Sequence, residues 1–218
     1  MNIPKISTKD LLSEYGIRLS KGLGQNFLID ENALLKIVLA ADISSESEVL
    51  EIGPGLGHLT RYLSEKSKIV HAVEIDRKII PALESVIKNY ENVNLVNADI
   101  MKFDISKLNL SNDFLVVANI PYYITSALIK LLLKYETKPK RLILTVQKEV
   151  GARICAKQGD HSILSLSVQV YGSPRISSVI KANSFYPAPK VDSAVIRIDI
   201  YEDALVAIDR IPMFFRLV

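Results

Sequence analysis

Between Ser47 and Gln147 short apolar runs alternate with segments of helical period, and this alternation narrows the possible folds more than any other feature. SEVLEIG, IVHAVEID, VNLVNAD, FLVVAN and RLILTVQ read as strands, and LGHLTRYLSEK, RKIIPALESVIKNY and ITSALIKLLLKYE as helices. Continuous apolar strands separated by helices predict βαβ units and a parallel sheet covered on both faces. Ahead of them DENALLKIVLAAD reads as a helix, with Asp30 as N-cap and apolar residues at 34, 35, 38 and 39. PRISSVIKA and SAVIRIDIY, with only a loop between them, predict an antiparallel hairpin that closes the sheet. The expected fold is doubly wound α/β with a mostly parallel sheet, and its ligands belong at the C-terminal strand ends.

Composition bounds the function. Of 218 residues, 49% are hydrophobic and 23% charged, which suits a packed globular enzyme and argues against disorder. A single cysteine, Cys155, excludes an internal disulfide and a multi-thiolate zinc site, and no metal is expected. The opening MNIPKISTKDLLSEYG has no apolar signal core, and no run reaches the roughly 18 apolar residues of a membrane span. The expectation is a soluble cytoplasmic protein with no membrane partner. The net charge of +3 says little, but six basic residues (Lys138, Lys140, Arg141, Lys148, Arg153, Lys157) face only Glu149 over one stretch. Most such runs are solvated helix faces; this one becomes a footprint for a phosphate backbone if a base-reading site lies nearby.

EIGPGLGHLT follows the first strand and opens a helix. Glycines 53, 55 and 57 allow a sharp turn and close approach to a ligand. The dinucleotide fingerprint asks for Gly-x-Gly-x-x-Gly, whereas here His58 occupies the third glycine's place and Pro54 removes an amide donor. That pattern favours a ligand without phosphates. Glu74 closes the second strand, where a carboxylate can accept from both ribose hydroxyls, and Asp99 closes the third, placed to accept from an adenine amino group. Glycine turn, ribose acid and adenine acid together describe S-adenosylmethionine (SAM), with an NAD enzyme as the alternative from this region alone.

NIPYYITS, at the fourth strand end, resembles the Asn/Asp-Pro-Pro-Tyr motif of methyltransferases that modify exocyclic amino groups of bases. The lone pair of an adenine amine is delocalised into the ring. If the Asn119 side chain and a carbonyl held rigid by Pro121 accept its two hydrogens, the nitrogen moves towards tetrahedral geometry and its lone pair faces the methyl donor. Tyr122 offers a face on which an extruded base can stack. The amine sheds its proton after transfer, so no histidine base is needed. His71 and His161 are read as structural, and His58 as part of the glycine turn.

KGLGQNFLID, EIGPGLG, VEID, NAD, NIPYYITS, QKEVGARI and SFYPAPKVDSAVIRI together resemble the bacterial small-subunit rRNA adenine N6,N6-dimethyltransferases of the rRNA adenine dimethylase family, linked to kasugamycin sensitivity. The likeness runs from about Lys21 to the C-terminus. It implies a Rossmann-like class I SAM-dependent methyltransferase acting on rRNA in an assembling small subunit, as a monomer. It also implies a cofactor site at Asn26, Leu28, Gly53, Gly55, Glu74, Asp99 and Asn119, and Phe185 packing on the target adenine opposite Tyr122. Asn26 and Leu28 rest on the resemblance alone, since GQNFLID by itself reads as a turn before a helix cap, and Phe185 by itself reads as a core aromatic. Lys148, Arg153 and Lys190 are the expected RNA contacts. Relatives that dimethylate large-subunit rRNA and confer macrolide resistance share NIPY and QNFL, and a non-catalytic assembly factor on the same fold is a further alternative. The expected organisation is a basic, cofactor-covering segment at 1–29, a catalytic domain at 30–201 and, at 202–218, the start of a truncated helical domain.

Overall fold

The computed structural model describes residues 3–119, 125–132, 135, 137–206, 210, 213–214 and 216. In chain order a short helix α1 (Thr8–Glu14) leads into a two-residue strand β1 (Phe27–Leu28), then α2 (Glu31–Ala41). The alternating region follows as β2 (Glu48–Ile52), α3 (His58–Ser64), β3 (Ile69–Glu74), α4 (Ile80–Ile87), β4 (Val93–Asn97), β5 (Leu115–Asn119), α5 (Thr125–Leu132) and β6 (Arg141–Gln147). Two helices, α6 (Lys148–Ile154) and α7 (Ile163–Gln169), precede β7 (Gly172–Ile180), β8 (Phe185–Tyr186) and β9 (Ser193–Ile200).

The main sheet has the order β4-β3-β2-β5-β6-β9-β7. Its first five strands are parallel, and β9 runs antiparallel between β6 and β7, so the predicted closing hairpin is present. Consecutive residues on the central strands face opposite layers. Leu50, Val116 and Leu142 pack on one side, while Val49, Val117 and Ile143 pack on the other against Leu34 and Ile37 of α2. Burying each such side chain stabilises the fold by about 1.5–3 kcal/mol, which is why both faces of these strands read as unbroken apolar runs.

Asp30 caps α2 as expected, its Oδ1 accepting from the Ala33 N–H at 3.0 Å. The helix's apolar face differs from the expected one: Leu34 and Val38 are buried together with Ile37 and Ala41, whereas Leu35 and Leu39 point outward at 43% and 76% exposure. Residues 34, 37, 38 and 41 form one stripe at 3.6 residues per turn, and 35 and 39 lie about 100° round from it. Helices α1, α6 and α7 have no counterpart among the predicted helices. Each has seven residues, under two turns, and lies outside the strand–helix alternation that made the equally short α3 legible; caps and packing define them. Ser162 and Ser165 form a capping box on α7. Among the described residues no helix is long and apolar enough to cross a membrane.

Candidate active site

In the strand order β2 and β5 are neighbours, and the chain leaves β2 towards β3 on one side and β5 towards β6 on the other, which opens a crevice at their C-terminal ends. The glycine turn fills the floor of that crevice. Its N–H groups are engaged internally: Gly53 donates to Val73 O, Gly55 to Glu74 Oε2 and Gly57 to Pro54 O, each at 3.0 Å. With those donors occupied and Pro54 lacking one, these positions have no amide to offer a pyrophosphate, which removes the NAD alternative's main requirement. Two of the glycines are sterically required. A Cβ at Gly55 (φ +59) would lie 3.0 Å from the Phe27 ring, and one at Gly57 (φ +79) 3.0 Å from Leu83 and Val86.

Glu74, at the end of β3, is 4% exposed and faces the same cavity. Its Oε1 accepts from the Asp76 N–H at 2.8 Å and its Oε2 from Gly55. Burial raises its pKa even though these N–H groups oppose the shift. Each oxygen keeps a second lone pair for a hydroxyl donor. Glu51, on β2, also lines the cavity and is 1% exposed. Burial pushes its carboxyl up to about 8, and its Oε2 has no hydrogen-bond partner. A buried carboxyl on a residue that lines a cavity suits a cationic ligand, and SAM carries a sulfonium and an ammonium. Glu51 was not among the predicted site residues. Its signal was available: it is the one charge in the inward-facing part of EVLEI, directly before the glycines.

A strap from the N-terminus roofs the cavity. Phe27 and Leu28 of β1 pair antiparallel with Tyr186 and Phe185 of β8, and the Ile29 N–H donates to Ser184 O at 2.9 Å. Asn26, Leu28 and Phe185, which only family resemblance suggested, therefore line the same cavity as Gly53, Gly55, Glu74 and Asn119. Phe185 is 4% exposed, so it is a core aromatic as well as a cavity wall. At the end of β5, Asn119 Nδ2 donates to Asn26 O at 3.4 Å, which leaves Oδ1 as the group available to a substrate. Asp99 does not line this cavity. Two residues past β4, its Oδ1 accepts from the Met101 N–H at 3.0 Å and its Oδ2 lies 3.9 Å from Lys102 Nζ. Pro121 and Tyr122 lie outside the described residues.

A family model described as ribosomal RNA adenine dimethylase matches residues 17–218. The chain belongs to that family. The ribosomal RNA small subunit methyltransferase A of Dehalococcoides mccartyi is 41% identical over 210 residues, spanning 96% of this chain and 72% of that protein. Among solved structures, a dimethyladenosine transferase from Plasmodium falciparum matches with a TM-score of 0.72 and 31% identity over 81% of this chain and 64% of that one. The 23S rRNA methyltransferase ErmE matches with a TM-score of 0.77 and 28% identity over 88% and 77%. The sheet order and closing hairpin are thus those of a class I methyltransferase fold.

In this adenine dimethylase the three histidines are structural in different ways. His58 is buried and bonded through Nε2 to Thr8 Oγ1 at 2.9 Å, so it anchors α1 besides opening α3. Burial lowers its pKa to about 4, with help from Arg61. His71 pairs with Asn94 and His161 with Gln169. The basic run also divides. Arg141 is 7% exposed and bonded to Asp199, Ala41 O and Asp42, so it belongs to the core and is subtracted from any surface footprint. Lys148, Arg153 and Lys190 are exposed. Lys148 N donates to Asp192 O at 3.0 Å, placing the start of α6 beside the 181–192 loop, and Thr145 of β6 is in register with Asn119.

Proposed function

We propose that this chain transfers methyl groups from SAM to the exocyclic N6 of adenines in small-subunit ribosomal RNA, two to each adenine. The observation that carries the reading is Asn119, held at the end of β5 with its amide nitrogen tied to Asn26 O, above a cavity walled by Glu51, Glu74 and the glycine turn. Glu74 would hold the ribose hydroxyls, the Glu51 carboxyl the cationic methionine part, and Asn26, Leu28, Gly53 and Gly55 the enclosing backbone. Asp99 would reach the adenine of the cofactor from the neighbouring strand end. When bound, SAM supplies the electrophilic methyl and leaves as a neutral thioether.

Asn119 Oδ1 accepts one hydrogen of the target amine, and the carbonyl beside Pro121 accepts the other. With SAM supplying the methyl, the nitrogen's lone pair, freed from the ring, would form the new N–C bond as the donor's C–S bond broke, and the proton would pass to solvent. Because the Asn119 side chain is held by Asn26 O before the reaction, little reorganisation of that acceptor would accompany the developing charge. Phe185 and Tyr122 would sandwich the extruded base. Lys148, Arg153 and Lys190 would hold the RNA backbone beside it.

The substrate is read as an assembling small subunit, met in the cytoplasm by a monomer. Segment 1–29 serves as the cofactor cover, 30–201 as the catalytic domain and 202–218 as the start of a helical unit that adds to the RNA grip. The 41% identity with a small-subunit enzyme, against 28% with the 23S enzyme, supports the small subunit over the large. Incubating under-methylated small subunits with the chain and SAM, then digesting to nucleosides for mass spectrometry, tests the reading. Dimethyladenosine is the expected product. SAM binding without any methylated adenosine, in this incubation and in a parallel one with under-methylated large subunits, would return the chain to the non-catalytic assembly factor.

A further inference from the structure

One side chain in the strap is hydrogen-bonded at both ends and plays no part in the chemistry above. Gln25 Oε1 accepts from the Ser20 N–H at 2.8 Å, and Gln25 Nε2 donates to Asp76 Oδ2 at 2.6 Å, across 51 residues of sequence. Asp76 is 8% exposed and its other oxygen is occupied, Oδ1 accepting from the Lys78 N–H at 3.0 Å. The Asp76 N–H in turn donates to Glu74 Oε1 at 2.8 Å. Adjacent to Gln25, Asn26 supplies the carbonyl that receives Asn119 Nδ2. A single amide therefore joins the strap to the acidic turn after β3, with the proposed ribose acid on one side and the proposed amine-activating amide on the other.

We propose that Gln25 is a positioning residue, which closes the strap over the cofactor cavity through Asp76 and so sets Asn26 against Asn119. The proposal rests on the cofactor site described under the proposed function. Burial of Phe27 and Leu28, the two-residue pairing of β1 with β8 and the Ile29–Ser184 bond hold one end of the strap, and the Gln25 clamp, a hydrogen bond to a carboxylate and so of the stronger kind, ties it to the acidic turn after β3. Donor and acceptor roles are fixed throughout. Ser20 N–H needs an acceptor and Asp76 needs a donor, so the Gln25 amide has one productive orientation.

That constraint yields a test that a merely structural role would not satisfy. Gln25→Glu keeps the acceptor for Ser20 but brings a second carboxylate against Asp76. Asp76→Asn keeps an acceptor for Lys78 but turns an NH2 towards the Gln25 NH2. The double variant restores every pairing, because the carboxylate introduced at position 25 accepts from both the Ser20 N–H and the new amide at position 76. Both single variants are expected to bind SAM roughly tenfold more weakly by calorimetry, and the double variant to return close to the wild type. Amide hydrogen exchange over 20–29 in the cofactor-free protein should follow the same order, faster in each single variant and slow again in the double.

Unchanged binding and exchange in the single variants, or losses that add up in the double, would overturn the clamp. Losses that merely track the thermal midpoints of the four chains would do so as well. If the wild type itself failed to bind SAM, the cofactor reading would fall, while the exchange pattern would still decide whether Gln25 closes the strap.

Discussion

The side-chain amide of Asn119 donates to the backbone carbonyl of Asn26 at 3.4 Å, joining a central strand end to a segment 93 residues earlier in the chain. The bond determines which end of that amide is free: with Nδ2 engaged, Oδ1 faces the site as an acceptor. Asn119→Ala removes the acceptor and should lower kcat by about 100-fold or more, the scale seen when one preorganised group is lost. Asn119 is half-buried at a strand end, so the thermal midpoint should move little. Near-normal turnover in single-cycle kinetics would refute the amine-activation role.

Glu74 accepts from two backbone N–H groups while facing the cavity. Glu74→Ala should therefore weaken SAM binding and also leave the Gly55 and Asp76 donors unpaired, at a cost of about 1–3 kcal/mol for each that stays buried. Glu74→Gln keeps the acceptor oxygen and should recover part of the stability. Calorimetry with SAM and urea unfolding of both variants separate the two effects.

Gly55→Ala places a Cβ 3.0 Å from the Phe27 ring in a left-handed conformation. The conformation alone costs roughly 1–2 kcal/mol, and the ring must also shift. We expect a lower urea midpoint together with faster amide exchange in β1, because Phe27 belongs to the strap. A destabilised variant whose strap stays protected would show that the backbone, and not the ring, takes the strain.

Burial keeps the Glu51 carboxyl protonated up to about 8 in the folded chain, against an ordinary value of 4.5. Between those values the unfolded chain binds fewer protons than the folded one, so stability falls as pH rises through that window. Glu51→Gln has no proton to lose. Its thermal midpoint should gain on the wild type from pH 5 to pH 8 and keep a constant lead above that. Parallel curves across the window would mean that the carboxyl is not held neutral.

Lys148, Arg153 and Lys190 are exposed, and the backbone of Lys148 is hydrogen-bonded to Asp192, two residues past Lys190. Changing each to Ala should flatten the salt dependence of RNA binding by about 0.7 in the log–log slope for every phosphate no longer held. Filter binding over a salt series measures it. An unchanged slope would return them to ordinary solvated positions.

Much of the fold was legible because its signals are local. The runs EVLEI, IVHAVE, LVVAN and RLILTVQ read as buried on both faces, and with helices between them they make βαβ units, which set these strands parallel and bring Gly53, Glu74 and Asn119 to one edge. Asp30 was readable as a cap because capping involves only the next few residues. The short helices α1, α6 and α7 were not, since they lie outside the strand–helix alternation. The outward turn of Leu35 and Leu39 depended on which stripe of α2 met the sheet.

The site divides in the same way. By itself the sequence determined its chemical character: a glycine turn from which Pro54 removes one amide donor, carboxylates at strand ends and an amide at the fourth. Only the tertiary structure decided that Phe27 and Leu28 pair with Tyr186 and Phe185, that Asn26 meets Asn119, that Gln25 meets Asp76, and that Arg141 spends its charge on Asp199 in the core. These partners lie tens to more than a hundred residues apart, and no local pattern encodes them. They meet because the strands and helices, each folding by its own short-range rules, leave one crevice whose walls must be finished by distant parts of the chain.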